Sequence, residues 1–390
     1  MSDKVNLCKL PTGVPGLDTL LAGGISRYSI VVLSGAPGSG KTTLAHQIMF
    51  ALASEQRKAL FFTILGEPPL KMLRFQQQYS FFDATKIGAA IKYVNLADDL
   101  QKSGFQGVLQ RILAEVHSFQ PELIFVDSFK SVVEAGKGPD PSLATVQYVV
   151  QQLGVQLSTW HARTFLIDEN ADLTHEENPV FAVADGVIHL WQNMDQNAMV
   201  RKVRVLKMRG SAHMAGLHTF RITNTGLHIY PCILAGGIVT TPEDPNFCSG
   251  STRVSTGSAE LDAMLGGGLP VGFSAMIQGP SGAGKSVLAT SFLKAGAAIG
   301  EHGIIAAYEN GFFQASNAPL HALIEAGQVS DLRPHSFDLS IEEVVTELAE
   351  AVARTGARRL VIKLRGSAHS TEIRTFVTVE DGIEVGAPLE

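Results

Sequence analysis

The sequence predicts an α/β protein made of two tandem repeats of one mostly parallel sheet domain, the second repeat incomplete. Three observations predict it. Distinct motifs recur at one fixed offset; short apolar runs alternate with segments of helical spacing; and a glycine-rich turn stands between an apolar run and a helix in each repeat.

The offset comes first. Thr12-Gly13, Leu17-Asp18 and Gly23-Gly24 return as Thr256-Gly257, Leu261-Asp262 and Gly267-Gly268, and 256 − 12 = 244. Gly35-Ala-Pro-Gly38-Ser39-Gly40-Lys41-Thr42 returns as Gly279-Pro-Ser-Gly282-Ala283-Gly284-Lys285-Ser286, and 285 − 41 is again 244. Two features at one spacing mark a duplication. The spacing then changes. Lys207-Met-Arg209-Gly210-Ser-Ala-His213 matches Lys363-Leu-Arg365-Gly366-Ser-Ala-His369 at 363 − 207 = 156, while the run Leu123–Asp127 matches Arg359–Lys363 at 363 − 127 = 236. Lys363 thus stands in two registers, and the second repeat lacks the 80 residues (207 − 127) that follow Asp127 in the first. The expected organisation is a complete domain over 1–234, a Gly/Pro-marked linker over 235–252, and an incomplete domain over 253–390.

The elements follow in chain order. Ser29–Ser34 is a β-rich run entering the glycine turn, and Leu44, Ile48, Ala51 and Leu52 then recur at helical spacing. Ala59–Ile64, Leu123–Val126, Thr164–Ile167 and Val187–Leu190 read as strands buried on both faces. Phe105–Phe119 and Leu143–Leu157 read as the helices between them, which gives a mostly parallel sheet. Arg204–Lys207, Phe220–Ile222 and Leu227–Tyr230 read as closing strands. The same strand–turn–helix order is expected at both glycine turns. Because the second repeat has no counterparts of Thr164–Ile167 and Val187–Leu190, its neighbouring strand edges are expected to be unpaired, and the repeat either less stable than the first or protected by packing on a partner.

The glycine turns carry the chemistry. Gly35, Gly38 and Gly40 let backbone N–H groups face inward around phosphate oxygens, and the following helix adds its positive end. Ser39 and Thr43 complete that loop, Lys41 is expected to reach the outer phosphates, and the Thr42 hydroxyl to sit on Mg²⁺. Gly279, Gly282, Ala283, Gly284, Lys285 and Ser286 are the equivalent set, with Ser286 at the metal position. Asp127 ends an apolar strand, where an acid holds such a metal through water. Lys363 occupies that place in the second repeat, and a cation there repels the metal. A water that attacks phosphate needs an acceptor for its proton; the candidates are Glu67, in Leu65-Gly66-Glu67-Pro68, and Glu309, in Tyr308-Glu309-Asn310. Lys207, Arg209 and His213, repeated in Lys363 and Arg365, form a basic motif suited to a terminal phosphate.

Composition narrows the classes. Of 390 residues, 45% are apolar and 17% charged, which excludes a disordered chain. Lys and Arg number 31 against 37 Asp and Glu, so there is no overall positive charge for nucleic acid. Cys8, Cys232 and Cys248 are too scattered for a disulfide framework or a metal set. The start, MSDKVNLCKLPTG, lacks the apolar core of a signal peptide, and no run has the length of a membrane helix. A cytoplasmic protein is expected.

With these residues in view, the chain resembles the KaiC family, whose members are duplicated RecA-like P-loop NTPase proteins. The resemblance rests on the Thr-Gly/Leu-Asp/Gly-Gly motif, both phosphate loops, Phe125-Val126-Asp127-Ser128, Ala184-Asp185-Gly186-Val187 and the repeated Lys-x-Arg-Gly-Ser-Ala-His. It implies hexameric rings, ATP and Mg²⁺ bound between protomers, slow ATP hydrolysis and, in some members, Ser/Thr autophosphorylation. It also implies that Lys207 and Arg209 act on ATP held by a neighbour's Lys41 and Thr42, and that clock or signalling proteins are partners. The family carries a Glu-Glu pair after the second strand with its first member as base; here the pair reads Gly66-Glu67 and Glu309-Asn310. The interval that holds the family's phosphorylated residues is the one missing from the second repeat, which counts against a kinase. Two other readings stand beside the ATPase: a nucleotide-binding scaffold or switch, and a RecA-type DNA-dependent ATPase. Against the second, the chain has no zinc-spaced cysteines and no basic tail.

Overall fold

A computed structural model describes residues 9–64, 69–129, 131, 162–169, 179–195, 198–232, 252–280, 283–307, 318–332, 340–363, 374–379 and 382–388. Glu67, Gly282, Glu309, Arg365, the expected helix over 143–157 and all of the expected linker except residue 252 lie outside them. The chain divides into two compact units, residues 1–241 with 340–343, and residues 242–339 with 344–390.

The first unit is built on a nine-stranded sheet. Its strands are β3 (Ile30–Gly35), β4 (Ala59–Thr63), β5 (Ile91–Asn95), β6 (Leu123–Asp127), β7 (Arg163–Asp168), β8 (Gly186–Asp195), β9 (Ala198–Met208), β10 (His218–Thr223) and β11 (Gly226–Tyr230); β1 (Lys9–Leu10) and β2 (Ile25–Ser26) pair separately. The spatial order is β11-β10-β9-β8-β3-β7-β6-β4-β5. β8, β3, β7, β6, β4 and β5 are parallel, and β9, β10 and β11 close the sheet as an antiparallel meander.

Runs that are apolar at every position fit strands covered on both faces. Val31, Leu33, Phe61, Phe125 and Phe165 point to one side, where Leu44, Ala45, Ile48 and Met49 of helix α2 (Lys41–Leu52) cover them. Val32, Leu60, Phe62, Val126 and Leu166 point to the other, against Phe105, Val108, Leu109 and Ile112 of α4 (Ala97–Phe119). Two short helices, α1 (Leu17–Leu20) and α3 (Pro69–Gln76), complete the amino-terminal half, and α5 (Pro179–Val183) precedes β8.

The repeated Thr-Gly/Leu-Asp/Gly-Gly motif turns out to be a structural clasp. The Thr12 N–H donates to Asp18 Oδ1 at 2.7 Å, and the Gly23 N–H to the Asp18 carbonyl at 2.7 Å. In the second repeat the Thr256 N–H donates to Asp262 Oδ1 and the Gly267 N–H to the Asp262 carbonyl, both again at 2.7 Å.

The second repeat has β12 (Arg253–Val254), α6 (Ala259–Met264), β13 (Leu269–Pro270), α7 (Lys285–Ala298), β14 (Gly303–Ala307), α8 (Ala318–Glu325), β15 (Val329–Leu332), α9 (Ile341–Thr355), β16 (Arg359–Lys363), β17 (Arg374–Val379) and β18 (Gly382–Pro388). Among the described residues its main sheet is three parallel strands in the order β15-β14-β16. This is β5-β4-β6 over again: Ala307 stands opposite Lys363 as Thr63 stands opposite Asp127. Lys363 therefore takes the register of Asp127, not that of Lys207. β17 and β18 pair as an antiparallel hairpin at the same 156-residue offset from β10 and β11.

One expectation fails. The strand expected ahead of the second glycine turn does not form: residues 273–280 have no strand structure, with Met276 89% and Phe273 73% exposed, where Val32 of β3 is fully buried. The reason is pairing. β3 bonds only to β7 and β8, and both would derive from the stretch absent from the second repeat. A strand stripped of both neighbours keeps its backbone groups in water.

Candidate functional site

Ile30–Ser34 is buried in the sheet, and the chain turns sharply at its carboxyl end. Gly35, Gly38 and Gly40 have φ of 148°, 78° and 100°, and Gly40 in the left-handed region caps α2. A Cβ at Gly35 would meet the Leu190 carbonyl oxygen at 2.2 Å and Ser39 Oγ at 2.8 Å. β8 also supports the loop from the side: Gln192 Nε2 donates to the Pro37 carbonyl at 3.1 Å, and Ser34 Oγ lies 2.9 Å from His189 Nδ1.

Lys41 opens α2 and is only 5% exposed. Its ammonium donates to the Gly35 and Ala36 carbonyls, both at 2.8 Å. Burial lowers its pKa, while Glu169, Asp127 and Asp168 pull it back up. Thr42 Oγ1 donates to Asp127 Oδ2 at 2.9 Å, so the predicted hydroxyl and the predicted acid meet across α2 and β6. Burial pushes the Asp127 carboxyl up to about 6, against the Thr42 hydrogen bond and Lys41, and Glu169 adds to the rise. Ser39 Oγ is buried with no hydrogen-bond partner among the described residues. Thr43 follows on the first turn of α2.

This arrangement suits a polyphosphate with a divalent cation. A loop at a helix amino end with an ammonium, and a paired hydroxyl and carboxyl beside it, is of the kind that can hold an anion with a metal ion. Among the described residues no three His, Cys, Asp or Glu side chains converge on a metal. Mg²⁺ sites of this kind complete themselves with phosphate oxygens and water.

His46, one turn further on, is fully buried between Phe61 and Tyr93, with its ring 4.4 Å from that of Phe61. Burial drives its pKa down to about 4. Its Nδ1 lies 2.7 Å from the Thr42 carbonyl, which can only accept, so the neutral ring carries its proton on Nδ1 and steadies the first turn of α2.

The structure brings Gly35, Gly38, Ser39, Gly40, Lys41, Thr42 and Asp127 together, but not Lys207 and Arg209. Lys207 on β9 stands opposite Val187 of β8, which stands opposite Val32. The Arg209 N–H donates to the Asp185 carbonyl, and the Asp185 N–H donates to the Ile30 carbonyl. The pair therefore sits toward the amino end of β3, away from the glycine turn at its carboxyl end. Lys207 Nζ donates to the Phe181 carbonyl at 2.9 Å, and Arg209 lies 3.5 Å from Asp185. Burial lowers the Lys207 pKa and the like charge of Arg209 adds to it, against Asp185.

Sequence reasoning missed Asp168 and Glu169. β7 lies between β3 and β6, and Ile167 is the partner of Asp127. Glu169 directly follows β7, close enough to Lys41 and Asp127 that its charge raises the pKa of both. The signal was present: two acids directly follow the apolar run Thr164–Ile167, as Asp127 ends its own.

In the second repeat Gly284 caps α7 with φ 84°, and Lys285 Nζ donates to the Gly279 and Pro280 carbonyls at 2.6 and 2.5 Å. The turn thus keeps its lysine-to-carbonyl geometry, but it is exposed and has no strand before it. Ser286 follows on α7. No acid occupies the position of Asp127, because Lys363 does; the Lys363 side chain is outside the described residues.

A sequence profile described as "ATPase: KaiC" matches residues 10–232 and 254–363. The circadian clock oscillator protein KaiC of Rippkaea orientalis is 25% identical over 408 residues, covering 95% of this chain and 76% of that protein. The KaiC of Parathermosynechococcus lividus is 25% identical over 417 residues, 97% and 74% of the two chains. KaiC 1 of Synechocystis sp. is 24% identical over 408 residues, 95% and 76%. Among the described residues no helix is long and apolar enough to cross a membrane.

Proposed function

The chain belongs to the KaiC family of ATPases, and from that premise we propose that residues 1–234 bind Mg·ATP at the turn from Gly35 to Thr43 and hydrolyse it slowly. Residues 253–390 then act as an incomplete domain with no working metal site. The observation that carries the reading is the 2.9 Å hydrogen bond from Thr42 to Asp127 beside a buried Lys41. Thr42 and Asp127 would hold the metal, one directly and the other through water. Bound there, Mg²⁺ neutralises phosphate charge and polarises the terminal phosphoryl group. Lys41 exchanges its two loop carbonyls for phosphate oxygens, which ends the cost of burying a cation among neutral acceptors. Glu67 or Glu169 accepts the proton of the attacking water, Glu169 from the strand end between the turn and Asp127.

Lys207 and Arg209 lie too far along the sheet to serve the turn of their own chain, which favours a site completed by a neighbouring protomer. On this reading the protein is a homo-oligomer, a hexameric ring by family resemblance, cytoplasmic, with a clock or signalling partner reading its nucleotide state. Lys207 and Arg209 act in trans, and autokinase activity is not expected.

Calorimetry with Mg·ATP and a phosphate-release assay test the proposal. Wild-type protein gives heat and Mg²⁺-dependent turnover; Lys41→Ala loses both. Turnover unchanged by Lys41→Ala would refute the site. A second reading, the nucleotide-binding switch, is favoured by Lys363 in the place of Asp127 and by Gly66. It predicts tight ATP binding without turnover.

A further inference from the structure

Among the described residues, two segments of the second repeat lack the strand partners that their counterparts have in the first. β6 is an interior strand between β4 and β7, and its outward residues Ile124 and Val126 are buried. Its counterpart β16 ends the described sheet, and the matching residues Leu360 and Ile362 are 41% and 47% exposed. β3 is interior between β7 and β8. Its counterpart, Ser274 to Gly279, forms no strand, and none of residues 274–278 makes a backbone hydrogen bond to a described residue. Met276 is 89% and Ile277 47% exposed.

These elements complement each other. Among the described residues, one is a sheet edge with no strand on its outer side; the other is an unpaired, uncharged segment of similar length that carries Ala275, Met276 and Ile277. In the first repeat their counterparts are never neighbours, because β7 separates them. In the second repeat the two elements are not paired with each other among the described residues. Two chains, each with one donor segment and one acceptor edge, can satisfy both reciprocally, and a twofold arrangement closes with nothing left over. Main-chain hydrogen bonds supply the affinity of such strand addition, and the alternate apolar side chains supply its register.

We propose that the second repeat is a self-association surface: residues 274–278 of one chain add as a strand to the β16 edge of another, and the exchange is mutual. Pairing would cover Met276, Ile277, Leu360 and Ile362 at once. It is separate from the nucleotide turn of the first repeat and needs no ATP.

The test uses the full chain without nucleotide and with EDTA, so that ATP-dependent assembly does not intervene. Sedimentation velocity is expected to find twice the chain mass at micromolar concentration. Met276→Lys with Ile277→Lys, and separately Leu360→Lys with Ile362→Lys, should weaken association at least tenfold with unchanged circular dichroism. Cross-linking then fixes the partners. With Cys8, Cys232 and Cys248 changed to Ser, a chain carrying Ala275→Cys is mixed with a differently tagged chain carrying Ile362→Cys, and a short bis-maleimide should join the two chains. A monomer, a dimer indifferent to all four lysines, or polydisperse aggregates would each overturn the proposal. So would a cross-link that forms only when both cysteines are in the same chain, because the segment would then have folded onto its own edge.

Discussion

Replacing Asp127 by asparagine should stabilise the metal-free protein while damaging its site. Burial raises the Asp127 pKa from 3.8 to about 6. The folded state therefore holds a proton that the unfolded chain has released between those two values. The stability this group contributes is complete below pH 3.8 and lost as the pH rises through about 6. At pH 8 the loss is the shift of roughly two pKa units at 1.36 kcal/mol each, on the order of 3 kcal/mol. The asparagine amide would keep an oxygen for the Thr42 hydroxyl and carry no charge, so the variant avoids the loss. Both tryptophans, Trp160 and Trp191, belong to the first repeat, so urea unfolding followed by their fluorescence reports this domain alone. In EDTA, Asp127→Asn is expected to be about 1–3 kcal/mol more stable than wild type at pH 8 and equal to it near pH 4. Adding Mg·ATP should reverse the order, since the ligand stabilises only the protein that binds it. A variant no more stable than wild type at pH 8, or one that keeps its Mg²⁺ response, would refute the reasoning.

Three further outcomes follow from the same structure. Glu169→Gln removes a negative charge near Lys41 and should tighten metal-free ATP binding by about 1 kcal/mol, roughly fivefold, by calorimetry, while lowering turnover. Gly35→Ala drives a methyl into the Leu190 carbonyl at 2.2 Å; a loss of about 2–3 kcal/mol in the tryptophan-monitored transition, with ATP binding abolished, is expected. Limited proteolysis of the full chain at low concentration should cut within 273–280 before it cuts the β3 to α2 turn, with fragments identified by mass spectrometry; the reverse order would contradict the unpaired strand.

The first repeat was legible because its strands are apolar at every position and its turn residues are few in kind. Ala59–Thr63 and Leu123–Asp127 fall within a residue or two of the expected runs. The glycine turn was legible because Gly35, Gly38 and Gly40 take positive φ, which suits glycine. The second repeat was not, because residues 273–279 read as a strand locally and only their absent neighbours decide otherwise. Propensity proposes a strand, and pairing has the final say. Lys207 and Arg209 show the converse. Their residue types fit phosphate binding, but the antiparallel course of β9 sets them beside Val187 and Asp185, a placement that charge pattern alone does not reveal. Asp168 and Glu169 were overlooked although the reasoning that picked Asp127 applies to them equally.

That antiparallel course has a consequence for how the protein is used. On the proposed reading, with the glycine turn after β3 holding the anion and the basic couple nearer the amino end of β3 serving a neighbour, the first repeat has a head and a tail. Lined up in a row, such bodies always leave one loop unserved and one couple idle; only a closed circuit employs every one. Specific activity would then fall on dilution well before the fold is lost, and a protein that merely capped the tail would silence its neighbour without touching the nucleotide.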